Sequence, residues 1–217
     1  MPYALHANHP NLLEITHPVI QYKLTLLREQ ATGHKTFNEL VNEIAHLLAY
    51  EATRNLPLTK RQIETPLETF DAPDLEDHDF LIVPILRAGL GMAEGLLEFL
   101  PMATVGHIGF YRDEKTLAPK NYYFKMPKNA KTAHCFVCDP MLATGGTACA
   151  AISLLKQYGI KSITFLCLVA APEGVKKVFE VHPDIQIYTV SLDRQLNEHG
   201  YILPGLGDAG DRLWGCR

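Results

Sequence analysis

Between Asp139 and Thr147 the chain reads Asp-Pro-Met-Leu-Ala-Thr-Gly-Gly-Thr, small and hydroxyl-bearing residues set between an apolar run ending at Cys138 and an amphipathic run starting at Ala148. Such a segment suits an anion. Gly145 and Gly146 let backbone N–H groups approach a ligand closely, and Thr144 and Thr147 offer hydroxyls. A helix starting there adds unpaired N–H groups and a partial positive charge. Helix-end charge effects are only roughly 0.3–1 kcal/mol, so several donors must act together to hold a phosphate. The Lys of a G-x-x-x-x-G-K-[ST] loop is missing and no G-x-G-x-x-G follows a strand, which argues against nucleoside triphosphatases and dinucleotide-binding enzymes. On this chemistry alone the segment fits a phosphate cradle and a Gly-rich tight turn equally well.

Other groups could serve the same anion. Arg87 follows the apolar run Phe80–Leu86, where a turn can present a guanidinium together with the N–H groups of Ala88 and Gly89. A strand-end Arg in a surface ion pair is the plain alternative. Arg112 opens a polar stretch to Pro119 that reads as a lid or as a solvated charge run. Asp139 can accept hydrogen bonds, though Asp is also a good turn former. No G-x-S-x-G elbow and no H-E-x-x-H occur, and none of the 10 His stand at metal-ligand spacing. His17, His182 and His199 read as structural or exposed.

These residues need a frame to bring them together. A helix is expected from about Val19 to Gln30 and a stronger one from about Phe37 to Arg54, where Phe37, Leu40, Val41, Ile44, Leu47 and Leu48 recur at helical spacing and Thr36 with Glu39 forms a capping-box pattern. Strands are expected at Phe80–Leu86, Thr104–Tyr111, Lys131–Cys138, Ser162–Ala171 and Ile185–Leu192. Helices fall between them, to Leu100, from Ala148 to Tyr158 with Gly159 as the stop, and from Pro172 to Phe179. Apolar strands alternating with helices imply an α/β fold, a mainly parallel central sheet flanked by helices. Ligands of such sheets gather at the carboxyl ends of the strands, so the unusual loops should converge on one rim. The tail from Asn197 to Arg217, with Gly at 200, 205, 207, 210 and 215, has no period and reads as a loop-rich cap.

Composition bounds the rest. With 217 residues, 47% hydrophobic and 20% charged, the chain suits a single domain, 1–217, in which the N-terminal helices and segment 193–217 form the cap. A net charge of −4 gives no general pull toward polyanions. The first residues lack a signal-peptide pattern, and no apolar run nears the roughly 18 residues of a membrane span, so a cytoplasmic protein is expected. The 5 Cys lack the spacing of a disulfide framework. Cys135 and Cys138 spell C-x-x-C within an apolar strand, where they point to opposite faces and, with no second pair, argue against a metal or redox site.

Asp139–Thr147 resembles the phosphoribosyl-pyrophosphate motif of type I phosphoribosyltransferases. Most of that fold carry two adjacent acids where this chain has Asp139-Pro140, and Asp-Pro-Met-Leu-Ala-Thr-Gly-Gly is the form of the uracil phosphoribosyltransferase family. Val83–Gly91, Tyr50-Glu-Ala-Thr53 and Gly200–Asp211 are similar to the same family, and the likeness runs from about His17 to Trp214. It implies the type I phosphoribosyltransferase fold and transfer of a phosphoribosyl group from 5-phospho-α-D-ribose 1-diphosphate (PRPP) to uracil, giving UMP and diphosphate in UMP salvage. The resemblance assigns PRPP to Arg87, Arg112, Asp139, Pro140, Met141, Leu142, Ala143, Thr144, Gly145, Gly146, Thr147 and Asp208, with Arg112 and Asp208 as the catalytic pair. It assigns uracil to Ile202, Gly207, Asp208 and Ala209, largely through main-chain groups. It also implies Mg2+ carried mainly by the diphosphate and water, a homodimer or larger homo-oligomer, a cis peptide at Leu86–Arg87, and a lid starting at Arg112. GTP activation, shown by some relatives, stays open.

Two other readings keep the fold. An RNA-binding regulator would need a basic face, against which the mild acidity argues. An orotate or purine enzyme changes the base. Orotate's carboxylate would want a basic partner in the cap, where Arg194 and Arg212 lie outside the Gly-rich segment.

Overall fold

The computed structural model describes residues 3–6, 9–76, 79–112 and 119–216. The side chain of Arg112 and all of 113–118, the expected lid, lie outside the described residues.

In chain order the elements begin with β1 (Tyr3–His6), β2 (His9–Ile15), α1 (Pro18–Arg28), α2 (His34–Ala52), β3 (Leu58–Glu64), β4 (Thr69–Leu75), β5 (Phe80–Leu86) and α3 (Leu90–Phe99). There follow β6 (Thr104–Val105), β7 (His107–Arg112), β8 (Pro119–Lys125), β9 (His134–Cys138), β10 (Met141–Leu142) and α4 (Gly146–Tyr158). The chain closes with β11 (Ile163–Ala170), α5 (Pro172–Val181), β12 (Gln186–Leu192), β13 (Gln195–Leu196), β14 (Ile202–Leu203) and α6 (Ala209–Trp214).

The main sheet has the order β1-β2-β12-β11-β9-β5-β7-β8. From β2 to β7 every neighbouring pair is parallel, and only the edge pairs β1/β2 and β7/β8 are antiparallel. β11 is buried along its whole length, as expected for a strand covered on both faces. Alternation along the strands separates two cores. Phe80, Ile82, Phe136, Cys138, Leu166 and Leu168 pack against α1, α2, α3 and α6. Leu81, Val83, Cys135, Val137, Phe165 and Cys167 pack against α4 and α5. Each fully buried large apolar side chain contributes about 1.5–3 kcal/mol relative to exposure. Cys135 and Cys138 therefore lie on opposite faces, and burial pushes both thiols up.

Four sequence expectations need correction. β1 and β2 precede the first expected helix, and β2 joins the parallel sheet beside β12; its His9–Ile15 run is short, follows a polar start and does not alternate. β3 and β4 form a separate antiparallel hairpin between α2 and β5, where the sequence reading places no element; they are mostly exposed, so no buried face marks them in the sequence. α2 begins at His34 with Gly33 as its N-cap, so Thr36 and Glu39 lie inside the helix and the capping box is not formed. The tail is not free of elements. It holds β14, which pairs with β13 just ahead of the tail, and the six-residue α6, both too short to show a period.

Candidate active site

The carboxyl ends of β5, β7, β9 and β12 point to one rim, because these strands run parallel. After β9 the chain passes through Asp139 and doubles as the short strand β10 beside β11. The carbonyl of Pro140 accepts from the N–H groups of Leu168 and Val169 (3.0 and 3.2 Å), and that of Leu142 from Ala171 (2.9 Å). Carbonyls are thus fastened to the sheet. Gly145 takes φ +76° as the N-cap of α4, a region that L side chains seldom enter. The first N–H groups of α4 have no partner within their helix, and they open on a cleft of about 180 Å3 lined by Asp139, Met141, Leu142, Ala143, Thr144, Gly145, Thr147 and Ala148.

Asp139 keeps part of its surface open to this cleft, while its carboxyl is enclosed by protein. Burial pushes it up to about 7, with a hydrogen bond from the Met141 main chain opposing and the negative charge of Asp208 adding to the rise. Ligand hydroxyls would replace the lost solvation of its ionised form. Asp208 is exposed and caps α6, its Oδ1 accepting from the Asp211 N–H (3.0 Å). Asp208 lies close enough for its charge to be felt at Asp139.

Arg87 sits at the turn after β5, exposed and without an acidic partner among the described residues; the Leu86–Arg87 peptide is cis, as expected. This turn abuts the cradle, since a Cβ on Gly89 would stand 2.4 Å from the Cys138 carbonyl oxygen. Ala88 reaches the cap, its Cβ lying 4.0 Å from a Cβ placed on Gly210. The cap also meets the cradle directly, with Thr144 Cγ2 at 3.7 Å from a Cβ placed on Gly200. Ile202 and Ala209 are buried, whereas Gly207, at φ +80°, is exposed. Arg112 ends β7 on the same rim. The strand ends thus bring Arg87, Asp139–Thr147 and the cap segment together.

Arg212 lies against the base segment, its Cδ 3.7 Å from a Cβ placed on Gly207, but its guanidinium is already engaged by main-chain carbonyls. Its guanidinium lies 4.3 Å above the Phe37 ring and donates to the carbonyls of Leu206, Glu29 and Thr32. Arg194 is exposed. The donors of Arg212 are thus already taken by main-chain carbonyls, which argues against an orotate carboxylate there. A larger hollow of about 510 Å3 between α2 and α3 is lined by four Glu, among them Glu94 and Glu98, and is unsuited to a phosphate.

Sequence reasoning missed the residues that hold the cap. Asp193, at the end of β12, is buried and pairs with Arg28 at the end of α1. Burial works to raise this carboxyl, but hydrogen bonds from Arg28 and Ser191 outweigh it and hold Asp193 below the usual carboxylate range. Glu173 Oε1 accepts from the Leu196 N–H (3.0 Å) and tethers β13 to α5. No local pattern marks these ties, because their partners are far apart in the chain.

The family model for uracil phosphoribosyltransferase matches residues 14–216. The chain belongs to the uracil phosphoribosyltransferase family. A uracil phosphoribosyltransferase of Fervidobacterium nodosum is 55% identical over 203 residues, spanning 94% of this chain and 98% of the relative. One from Enterococcus faecalis is also 55% identical, over 94% of this chain and 97% of its own length. A solved structure from Aquifex aeolicus superposes with a TM-score of 0.88 at 36% identity, covering 94% of this chain and 97% of that one. The adenine phosphoribosyl transferase of Trypanosoma brucei shares the fold at a TM-score of 0.60 and 11% identity. The family's type I phosphoribosyltransferase fold is thus the fold observed. Among the described residues no helix is long and apolar enough to cross a membrane.

Proposed function

We propose that this chain transfers the 5-phosphoribosyl group from PRPP to N1 of uracil, releasing diphosphate and forming UMP in salvage. The observation that carries the reading is the juxtaposition of the strand-to-helix cradle with a Gly-rich cap on one rim, within a chain 55% identical to enzymes named for this activity. The bond from C1′ to the diphosphate oxygen breaks, the bond from C1′ to uracil N1 forms, and the N1 proton is released. The sugar gains positive charge and the leaving group negative charge, so the site needs anion donors and alignment more than a nucleophile.

In this reading the N–H groups and hydroxyls of Ala143–Thr147 hold the 5′-phosphate, and Asp139 accepts from the ribose hydroxyls. Pro140, Met141 and Leu142 shape the cleft from beneath. Arg87 and the N–H groups beside it take the diphosphate, and Arg112, at the start of the lid, stabilises the departing charge. Main-chain groups of Ile202, Gly207 and Ala209 read the uracil edge, while Asp208 stands beside the sugar diphosphate. An unpaired buried amide group costs roughly 1–3 kcal/mol, which is how a main-chain edge rejects cytosine.

Magnesium fits this donor set. The exposed carboxylate of Asp208 stands beside the cradle, and Mg2+ usually keeps waters and takes phosphates as its ligands, so no protein metal cage is needed. When bound with PRPP it would neutralise the diphosphate. A homo-oligomer is supported by the exposed apolar side chains Leu58, Leu67 and Phe70 on the β3–β4 hairpin. Four of the free cysteines, Cys135, Cys138, Cys149 and Cys167, are buried, which agrees with a cytoplasmic location.

The test is incubation with uracil, PRPP and Mg2+, with and without GTP, followed by 31P NMR. Equal amounts of UMP and diphosphate are expected. Hydrolysis of PRPP without UMP, or no turnover in either condition, would overturn the reading.

A further inference from the structure

We propose that Arg28 and Asp193 are positioning residues for the acceptor base, forming a buried clamp that sets the main chain between Ile202 and Gly207. The inference rests on the reading above that this segment meets uracil. Asp193 Oδ1 accepts from Arg28 Nη2 (2.5 Å) and Ser191 Oγ (2.7 Å). Its Oδ2 accepts from Arg28 Nη1 (2.8 Å) and from the Gly205 N–H (2.8 Å). Arg28 Nη1 also donates to the Gly205 carbonyl (2.6 Å). One ion pair therefore engages both polar groups of a single cap residue.

Gly205 stands between the two expected ends of the base edge. It follows the cis Leu203–Pro204 peptide and takes φ +65°. The chain folds back tightly there, since a Cβ on Gly205 would lie 2.2 Å from the Ile202 carbonyl oxygen. Gly205 and the Ile202 carbonyl are thus close neighbours, so what holds one bears on the other. The clamp joins three parts of the fold at this point: the end of α1, the end of β12 and the cap. Side-chain readers can adjust by rotamer, but main-chain readers depend on how the backbone is held. A buried ion pair adds little net stability over an apolar replacement, and its better attested use is to fix one arrangement. The Asp193 side chain is 2% exposed and that of Arg28 20%, so solvent has little access to the carboxylate.

The test uses the full chain with Arg28→Lys, Ser191→Ala and Asp193→Asn, in steady-state kinetics with each substrate varied at saturation of the other. Arg28→Lys keeps the charge but not the two-pronged geometry. For Arg28→Lys and Asp193→Asn, KM for uracil should rise on the order of tenfold or more, while KM for PRPP stays within about threefold. Ser191→Ala should move the same way by less. Should Asp193→Asn fail to fold by circular dichroism, the other two carry the comparison. Equal rises in both KM values, or a fall in kcat with both unchanged, would overturn the clamp. The unaltered protein runs alongside, so absence of UMP there counts against the reaction, and an unselective variant counts against the clamp.

Discussion

The cradle and the cap both offer main-chain groups to a ligand, but they are held in different ways. In the cradle, β9, β10 and α4 fix the donors through regular structure, and the loop carbonyls are stitched to β11. In the cap segment 193–217, regular structure is limited to two short strands and a six-residue helix. Its geometry comes instead from charged side chains distant in sequence, Arg28 with Asp193 and Arg212 over Phe37. A phosphate asks only for convergent donors, which a strand and a helix start supply. A base edge asks for particular main-chain positions, which under the proposed reading would depend on those ties.

This contrast can be broken most severely at Gly145, where Ala would force a side chain into φ +76° with its Cβ 2.7 Å from the Gly174 carbonyl oxygen. Loss of aligned anion donors should lower kcat/KM for PRPP on the order of 10²–10³-fold, while equilibrium binding of uracil analogues to the cap changes little; normal PRPP kinetics would show that the cradle does not hold the phosphate. Arg112→Ala should cost on the order of 10²-fold in kcat/KM, measured at subsaturating PRPP. Near wild-type rates would take Arg112 out of the site.

Asp139 gives a test with opposite signs. Its carboxyl is raised from 3.8 to about 7, so the folded state holds a proton that the unfolded state has already lost in that window. Stability from this group is present below 3.8 and declines as pH rises through about 7. Asp139→Asn should therefore melt higher than the unaltered protein at pH 8, yet turn over more slowly. The unaltered protein's KM for PRPP should rise as pH falls below about 7, and the Asn variant's should stay flat. A parallel pH dependence in both would remove Asp139 from the ribose. The smallest effect on folding is expected at Asp208→Ala, about 1 kcal/mol for a lost helix cap, with turnover reduced by more than that loss explains. Early melting with normal specific activity would make Asp208 a cap alone.

The same contrast explains what the sequence makes legible. The buried strands β5, β9, β11 and β12 and the helices between them appear as apolar runs and periodic stretches, so the parallel sheet, its rim and the cradle at Asp139–Thr147 can be read from one chain. The exposed β3–β4 hairpin bears no buried face and leaves no alternation to read. Gly33, not the Thr36 and Glu39 pattern, starts α2, because a capping box has meaning only where the chain is already turning. The cap is legible as Gly-rich, but Arg28 and Asp193 are 165 positions apart and no spacing rule joins them. Its base selectivity in the sequence came from family resemblance, while the ties that hold it appear only in three dimensions.

The central claim is a division of labour in which the cradle holds a ribose phosphate and the cap admits only uracil. One competition measures it: a single reaction with PRPP, Mg2+ and equal amounts of uracil, cytosine, orotate, hypoxanthine and adenine, with products resolved by chromatography. UMP as the sole nucleotide is expected. A purine nucleotide, CMP or orotidylate formed at a comparable rate would contradict the account.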